Sequence, residues 1–435
     1  MASLPRGQRS GHFGWRFAWA HASRDDLGSH YLDYLVSGNP LCVDRIDCGR
    51  VGASVFRLAI FRDSSFTRRE PPSFFGAYHC DGDLAPSFKC AEVDSRDRAT
   101  LWAKMMNIAI LGTGGWGTAL ATQWAHHGNE VTLWGNTPER VKQIASSRRN
   151  PDYLPGIELP PSVALTSELD VCAGADLIIF VTPSVALREV AGRLKPALRR
   201  DQTILLSCTK GIEHGTGMRM SQILQESFPA NPIAVLSGPN LAAEVAQALP
   251  TATVLGCRDE SIAQTLQEVL GSSRFRVYTS HEIAGIELGG ALKNIFAISA
   301  GVSDGFGLGD NSKAALVTRS LAELLRLGVA MGGEARTFQG LSGAGDLVAT
   351  CFSRHSRNRR FGEELGQGKS VAEITNDMKA VAEGVPTARS AFECAQKLGV
   401  ETPIIDQVYA VLYQGKLPAQ GMQELLERDQ KSERG

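Results

Sequence analysis

A chain of 435 residues carries 45 basic and 46 acidic side chains, a formal net charge of -1, with 43% hydrophobic and 21% charged residues. That balance argues against a disordered chain, and the lack of a basic excess argues against binding nucleic acid through bulk charge. No apolar run reaches the roughly 18 residues of a membrane helix, since the longest candidate, Leu288 to Val302, is interrupted by Lys293 and several glycines.

Residues 1–104 differ from the remainder. They hold 14 of the 30 aromatics, four of the nine cysteines (Cys42, Cys48, Cys80 and Cys90), and 12 arginines but only two lysines, Lys89 and Lys104. No period of 2 or 3.6 is sustained there, and the cysteine spacings do not match the short pairs of a zinc site. The stretch before Asp25 is acid-free but lacks the sustained amphipathic helix of a transit peptide. The expectation is a poorly structured N-terminal extension, irregular or non-native, translated upstream of the folded chain. A genuine accessory segment and a targeting segment are the alternatives.

From Met106 the pattern changes. Asn107-Ile-Ala-Ile-Leu111 has the length of a strand and runs into Gly112-Thr-Gly-Gly-Trp-Gly117; Thr118 to His127 reads as a helix stopped by Gly128, and Glu130-Val-Thr-Leu-Trp134 as a second strand. A G-x-G-x-x-G between strand and helix is a dinucleotide fingerprint. Gly112 permits the tight turn, Gly114 lets the backbone approach a pyrophosphate, and Gly117 packs helix on strand. The helix N-terminus offers free N–H groups to phosphate. The competing reading is a glycine turn with no ligand.

The end of the second strand bears on cofactor choice. Trp134, Gly135, Asn136 and Thr137 stand where NAD-specific sites place an acid, and Arg140 lies one turn further on. NADP is therefore allowed. Arg140 reads equally as a phosphate contact or as a solvated helix-face arginine.

Further strands follow at Asp176–Val181, Gln202–Ser207, Ile233–Ser237, Thr251–Leu255 and Phe275–Tyr278, the first three ending in turns at Thr182-Pro183-Ser184, Cys208-Thr-Lys-Gly211 and Gly238-Pro-Asn240. In an open α/β sheet such turns face the ligand. Beyond residue 282 strand signals fade. The expected fold is α/β, a Rossmann-like doubly wound domain over 105–290 followed by an all-helical domain over 291–435.

Three segments of the second half carry chemistry. Glu287 to Ser299 is a helix apolar nearly all round, with Lys293 its only cation, and burial would move that lysine toward a useful acid/base range. A lysine snorkelling at a helix edge is the other reading. Leu341-Ser-Gly-Ala-Gly-Asp346 is a glycine-rich turn presenting one carboxylate. Thr350 to Arg360 carries four arginines, Arg354, Arg357, Arg359 and Arg360, which suits one small phosphorylated ligand or else a solvated basic helix.

From Met106 to about Gly415 these pieces in their order resemble the bacterial-type NAD(P)-dependent glycerol-3-phosphate dehydrogenases. The matching pieces are Gly112–Gly117, the Thr-Lys-Gly turn at Lys210, Ser237-Gly-Pro239, Glu287-x-x-Gly-Ala-Leu-Lys-Asn294, Leu341-Ser-Gly-Ala-Gly-Asp-Leu347, Ser356-Arg-Asn358 and Val381-Ala-Glu-Gly384. The resemblance implies reversible NAD(P)H-dependent reduction of dihydroxyacetone phosphate to sn-glycerol 3-phosphate, feeding glycerophospholipid synthesis. It implies Lys293 as general acid/base. Substrate would be held by Lys210, Gly238, Asn240, Asp346, Ser356, Arg357 and Asn358. Cofactor, NADP or NAD, would be held by Gly112, Gly114, Gly115, Trp116, Gly117, Asn136, Lys210, Ala242, Arg357, Val381 and Glu383. Two positions depart from the family pattern: Asn240 stands where serine is frequent, and Asn136 where arginine or histidine is frequent.

A related hydroxyacid dehydrogenase and a non-catalytic dinucleotide sensor are the alternative functions. The nine histidines form no H-x-x-x-H pair, so no metal is expected. Scattered cysteines point to a reducing cytoplasm. Expected partners are the small-molecule substrate and a second copy in a homodimer, with no nucleic acid and no integral membrane segment.

Overall fold

A computed structural model describes residues 105–378, 382–429 and 432, together with the backbone of three strands nearer the N-terminus. Those three, Ser54–Ala59, Phe75–Cys80 and Ala91–Glu92, pair antiparallel in chain order. The rest of residues 1–104, to which the expectation of an irregular extension applies, lies outside the described residues.

Residues from Lys104 onward form a separate unit built on an eight-stranded sheet. Its strands are β1 (Asn107–Leu111), β2 (Glu130–Trp134), β3 (Ala164–Thr166), β4 (Leu177–Phe180), β5 (Ile204–Ser207), β6 (Ile233–Ser237), β7 (Thr251–Cys257) and β8 (Phe275–Ser280). Their order across the sheet is 3-2-1-4-5-6-7-8. All neighbours are parallel except β6 and β7. The order reverses between β1 and β4, and that switch point opens a crevice at the strands' carboxyl ends.

The strands read as continuous apolar runs because both faces are covered. Leu177 and Ile179 of β4 join one buried cluster, while Ile178 and Phe180 join the other. The first face is packed by helix α1 (Gly115–His126), through Leu120 and Trp124. Helix α2 (Pro138–Ser147) follows β2. On the second face lie α3 (Leu187–Leu194) and α4 (Met220–Ser227). Helix α1 starts three residues earlier than the sequence suggests, at Gly115, because the glycines at its start belong to its first turn. A short helix α5 (Ala242–Ala246) and α6 (Glu260–Leu270) complete this half.

The helical half is organised around α7 (Ile283–Gly305), 23 residues long. The expected domain boundary at 290/291 falls inside this unbroken helix, which begins beside the sheet and ends among helices. By length and composition α7 could cross a membrane, yet 83% of its most apolar window is buried inside the protein. Around it pack α8 (Gly309–Ala330), α9 (Ala335–Phe338), α10 (Asp346–Phe352), α11 (Arg357–Gly366), α12 (Val371–Asp377), α13 (Gly384–Leu398), α14 (Pro403–Tyr413) and α15 (Pro418–Leu426).

Paired glycines set the closest of these contacts. A methyl on Gly301 or Gly305 of α7 would lie 1.9 or 2.4 Å from backbone oxygens of Arg359 and Glu363. One on Gly362 or Gly366 of α11 would lie 1.9 or 2.6 Å from those of Ile298 and Val302. Glycines four apart share a helix face, so the two backbones touch along one line. This seats the start of α11 beside the middle of α7.

Candidate active site

The glycine-rich turn follows β1 and leads into α1, and its glycines differ in how closely backbone approaches them. Gly112 has φ +134, and a side chain there would meet the Val181 carbonyl at 2.6 Å. Gly117 would strike the Gly112 carbonyl at 1.9 Å, whereas Gly114 faces open space with nothing within 4 Å. The turn is braced by Asn150, which sequence reading missed: its Nδ2 donates to Thr113 O and Thr118 Oγ1, both at 2.8 Å. Thr182, at the end of β4, is buried with an unpartnered hydroxyl. We expect Gly117→Ala to destabilise the fold by about 1–3 kcal/mol, as overpacking against backbone does, and to abolish nucleotide binding. Gly114→Ala should leave the melting midpoint in place; thermal denaturation and nucleotide fluorescence titration check both.

Other expected cofactor residues divide. Gly115 and Ala242 face each other, 3.8 Å from a methyl on the glycine to the alanine Cβ, and Trp116 leans its ring on the core. Asn136 is exposed and accepts a hydrogen bond from Arg193 at 2.7 Å. Glu383 accepts a 3.0 Å hydrogen bond from Ser184, the residue after the Thr182-Pro183 turn. Burial raises the Glu383 carboxyl above its usual range, against the hydrogen bond from Ser184 and the charge of Arg357. Val381 lies outside the described residues.

The polar centre sits where α7, α10 and the ends of β5 and β6 meet. Lys293 is buried at 6% exposure. Its Nζ donates to Asp346 Oδ1 at 2.8 Å and to Thr350 Oγ1 at 2.6 Å. Lys210, just past β5, donates from the other side to Asp346 Oδ2 at 2.5 Å and to the Gly238 carbonyl at 3.2 Å. One buried carboxylate is thus shared by two ammonium groups. Thr350 was not anticipated, although it lies one helical turn beyond Asp346, the i, i+4 spacing that puts both on one face.

The glycine-rich turn before Asp346 is one π-helical turn, Leu341–Gly345, running directly into α10. Wide turns of this kind are frequent at functional sites. The turn presses on α7 because Gly289 has no side chain: a methyl there would lie 2.6 Å from the Ser342 carbonyl. That approach delivers Asp346 to Lys293.

The electrostatics follow from burial and mutual charge. Burial pushes the Lys293 ammonium down to about 8; Asp346 opposes this, and Lys210 adds to it. Burial alone would raise the Asp346 carboxyl, but Lys210 and Lys293 outweigh it and hold it below its usual value. An ammonium has three N–H donors. Two of those on Lys293 are occupied, leaving one for a reacting oxygen. The Ser237 hydroxyl, at the end of β6, is buried and unpartnered, and a methyl on Gly290 of α7 would lie 2.4 Å from it.

Of the remaining expected substrate residues, Asn240, Ser356 and Asn358 also make hydrogen bonds within the fold. Asn240 donates to Ala252 O and accepts from Thr253 Oγ1, which ties its loop to β7. Ser356 caps α11 by accepting from Arg359 N. Asn358 donates to Asn294 Oδ1 and accepts from Gly384 N, bridging α7, α11 and α13. Two of the four arginines are spent on acids: Arg359 on Asp304 and Glu363, and Arg360 on Glu364. Arg357 is exposed at the start of α11.

Family models describe the same architecture. The model for the NAD-dependent glycerol-3-phosphate dehydrogenase N-terminus matches residues 107–263, and that for its C-terminus matches 282–423. A glycerol-3-phosphate dehydrogenase [NAD(P)+] of Syntrophotalea carbinolica is 48% identical over 332 residues, 75% of this chain and 99% of the relative. The chain belongs to the NAD-dependent glycerol-3-phosphate dehydrogenase family. A Streptomyces griseus relative of the same description is 47% identical over 332 residues, covering 76% of this chain and 98% of its own. The crystal structure of glycerol-3-phosphate dehydrogenase from Coxiella burnetii superimposes with a TM-score of 0.73 at 40% identity, covering 75% of this chain and all of that one. Within this family the positive-φ Gly112, the open face at Gly114 and the unpartnered Thr182 hydroxyl together fit a dinucleotide pyrophosphate at the switch point.

Proposed function

We propose that the chain reversibly reduces dihydroxyacetone phosphate to sn-glycerol 3-phosphate with NAD(P)H, supplying glycerophospholipid synthesis, and that Lys293 is its general acid/base. The observation that carries this reading is the buried Lys293–Asp346–Lys210 arrangement beside the mouth of the dinucleotide crevice. The bound nicotinamide supplies the hydride. As the ketone carbon is reduced, negative charge grows on its oxygen, and the free N–H of Lys293 stabilises that charge and delivers the proton. Asp346 and Thr350 hold the lysine in one rotamer, so little reorganisation is needed. Lys210 balances Asp346, orients it and, with the Gly238 loop, lines the substrate pocket. Arg357 takes the substrate phosphate, turning remote binding energy into alignment of the ketone carbon. Asn358, held at both ends, positions Asn294 and the start of α13 and so keeps Glu383 at the cofactor side. The five described cysteines, Cys172, Cys208, Cys257, Cys351 and Cys394, are free and buried, which supports a cytoplasmic setting.

The test is a pH profile in both directions with NADPH and NADH. Reduction needs the protonated lysine, so kcat/KM for dihydroxyacetone phosphate falls as pH rises through about 8. Oxidation of glycerol 3-phosphate needs the neutral amine and rises through the same value. A hydroxyacid substrate preferred over dihydroxyacetone phosphate would overturn the assignment.

A further inference from the structure

The end of β2 gathers a cation that sequence reading did not place there. Arg193 belongs to α3, 57 residues along the chain from Asn136, yet its Nη1 donates to Asn136 Oδ1 at 2.7 Å. Its guanidinium also lies over the Trp134 ring, 5.6 Å from the centroid. Trp134 is a rigid platform, 1% exposed, with Nε1 donating to the Ser167 carbonyl. Stacking and hydrogen bond together orient the guanidinium beside the residues that follow β2.

The charge of Arg193 is weakly balanced. Its acid neighbour is Glu189, 3.6 Å away and one turn back on the same exposed helix face, a pairing of little strength in water. Arg140, the cation the sequence offered for this corner, is engaged elsewhere: it stacks on Tyr153 at 4.9 Å and donates to the Tyr153 hydroxyl at 3.1 Å. The acid nearest in sequence, Glu139, is exposed in the first turn of α2. The adenosine ribose of a Rossmann-bound dinucleotide lies at the end of the second strand, where an acid selects the 2′-hydroxyl and an arginine the 2′-phosphate.

We infer that Arg193 is the residue that selects NADP(H) over NAD(H), its guanidinium receiving the 2′-phosphate while Asn136 and Trp134 hold it in place. The inference rests on the dinucleotide reading of the crevice. Guanidinium forks bind phosphate through paired N–H donors, and one Arg193 nitrogen on Asn136 leaves further N–H groups for that purpose.

Direct binding decides it. NADPH and NADH are titrated separately into the full-length protein by nicotinamide fluorescence, with 2′,5′-ADP as competitor. Arg193→Ala should weaken NADPH and 2′,5′-ADP by roughly ten-fold or more, the size of one charge-assisted hydrogen bond, with NADH changed less than two-fold. Arg193→Lys, which keeps the charge but not the fork, should fall between. An unchanged NADPH affinity in Arg193→Ala, or equal weakening of both nucleotides, overturns the inference. Wild-type protein that binds neither nucleotide overturns the dinucleotide reading itself.

Discussion

Replacing Lys293 with alanine should lower the turnover of dihydroxyacetone phosphate by about 10² to 10⁴, the usual worth of a positioned general acid, while nucleotide affinity stays within two-fold. The lysine donates to Asp346 and Thr350, and neither lies on the glycine-rich turn that would hold the pyrophosphate. Asp346 also keeps Lys210 as a partner, so the carboxylate is not left alone and the fold should survive. Lys293→Arg should rescue little, because a guanidinium does not release its proton in the working pH range. Single-turnover reduction, with nucleotide fluorescence as the control, separates the two effects. Turnover within ten-fold of the wild type would remove Lys293 from the chemistry.

Asp346→Asn should be almost as damaging by a different route. The Asp346, Lys293 and Lys210 side chains are 3%, 8% and 20% exposed, and the carboxylate is paired with both ammonium groups. Breaking a buried pair by neutralising one member costs about 3–5 kcal/mol, which should appear as a large fall in the thermal midpoint. The chemistry suffers as well. Asp346 is the main influence opposing burial at Lys293; without its charge the lysine titrates below about 8. The high-pH limb of the reduction profile then moves toward acid, and turnover at neutral pH falls because less of the lysine is protonated. An unshifted limb would show that Asp346 is structural alone.

The two substitutions differ because one removes the proposed proton donor and the other a charge that two cations share. That distinction was only half visible in the sequence. Lys293 stands out there as the single cation of an apolar helix, and Asp346 as the one carboxylate of a glycine-rich run. Nothing in their separation of 53 residues says that they touch. Thr350 carries no signal beyond its spacing from Asp346, and Asn150 none at all.

Local rules determined much of this protein by themselves. The strands, the glycine fingerprint and the buried central helix are encoded in short-range hydrophobic patterning and backbone freedom, which act over a few residues. The ordered motifs identified the family for the same reason. Only the tertiary structure decided that Arg359 reaches Asp304, that the glycine-rich run before Asp346 winds as a π-turn, that β7 runs antiparallel to β6, and that Arg193 joins Asn136. Apart from the pairing of the consecutive strands β6 and β7, these depend on close approach between elements distant in the chain, set in part by backbone contact at glycines such as Gly289 and Gly301. The near-neutral composition averaged over those arrangements, whereas folding concentrated two lysines around one aspartate.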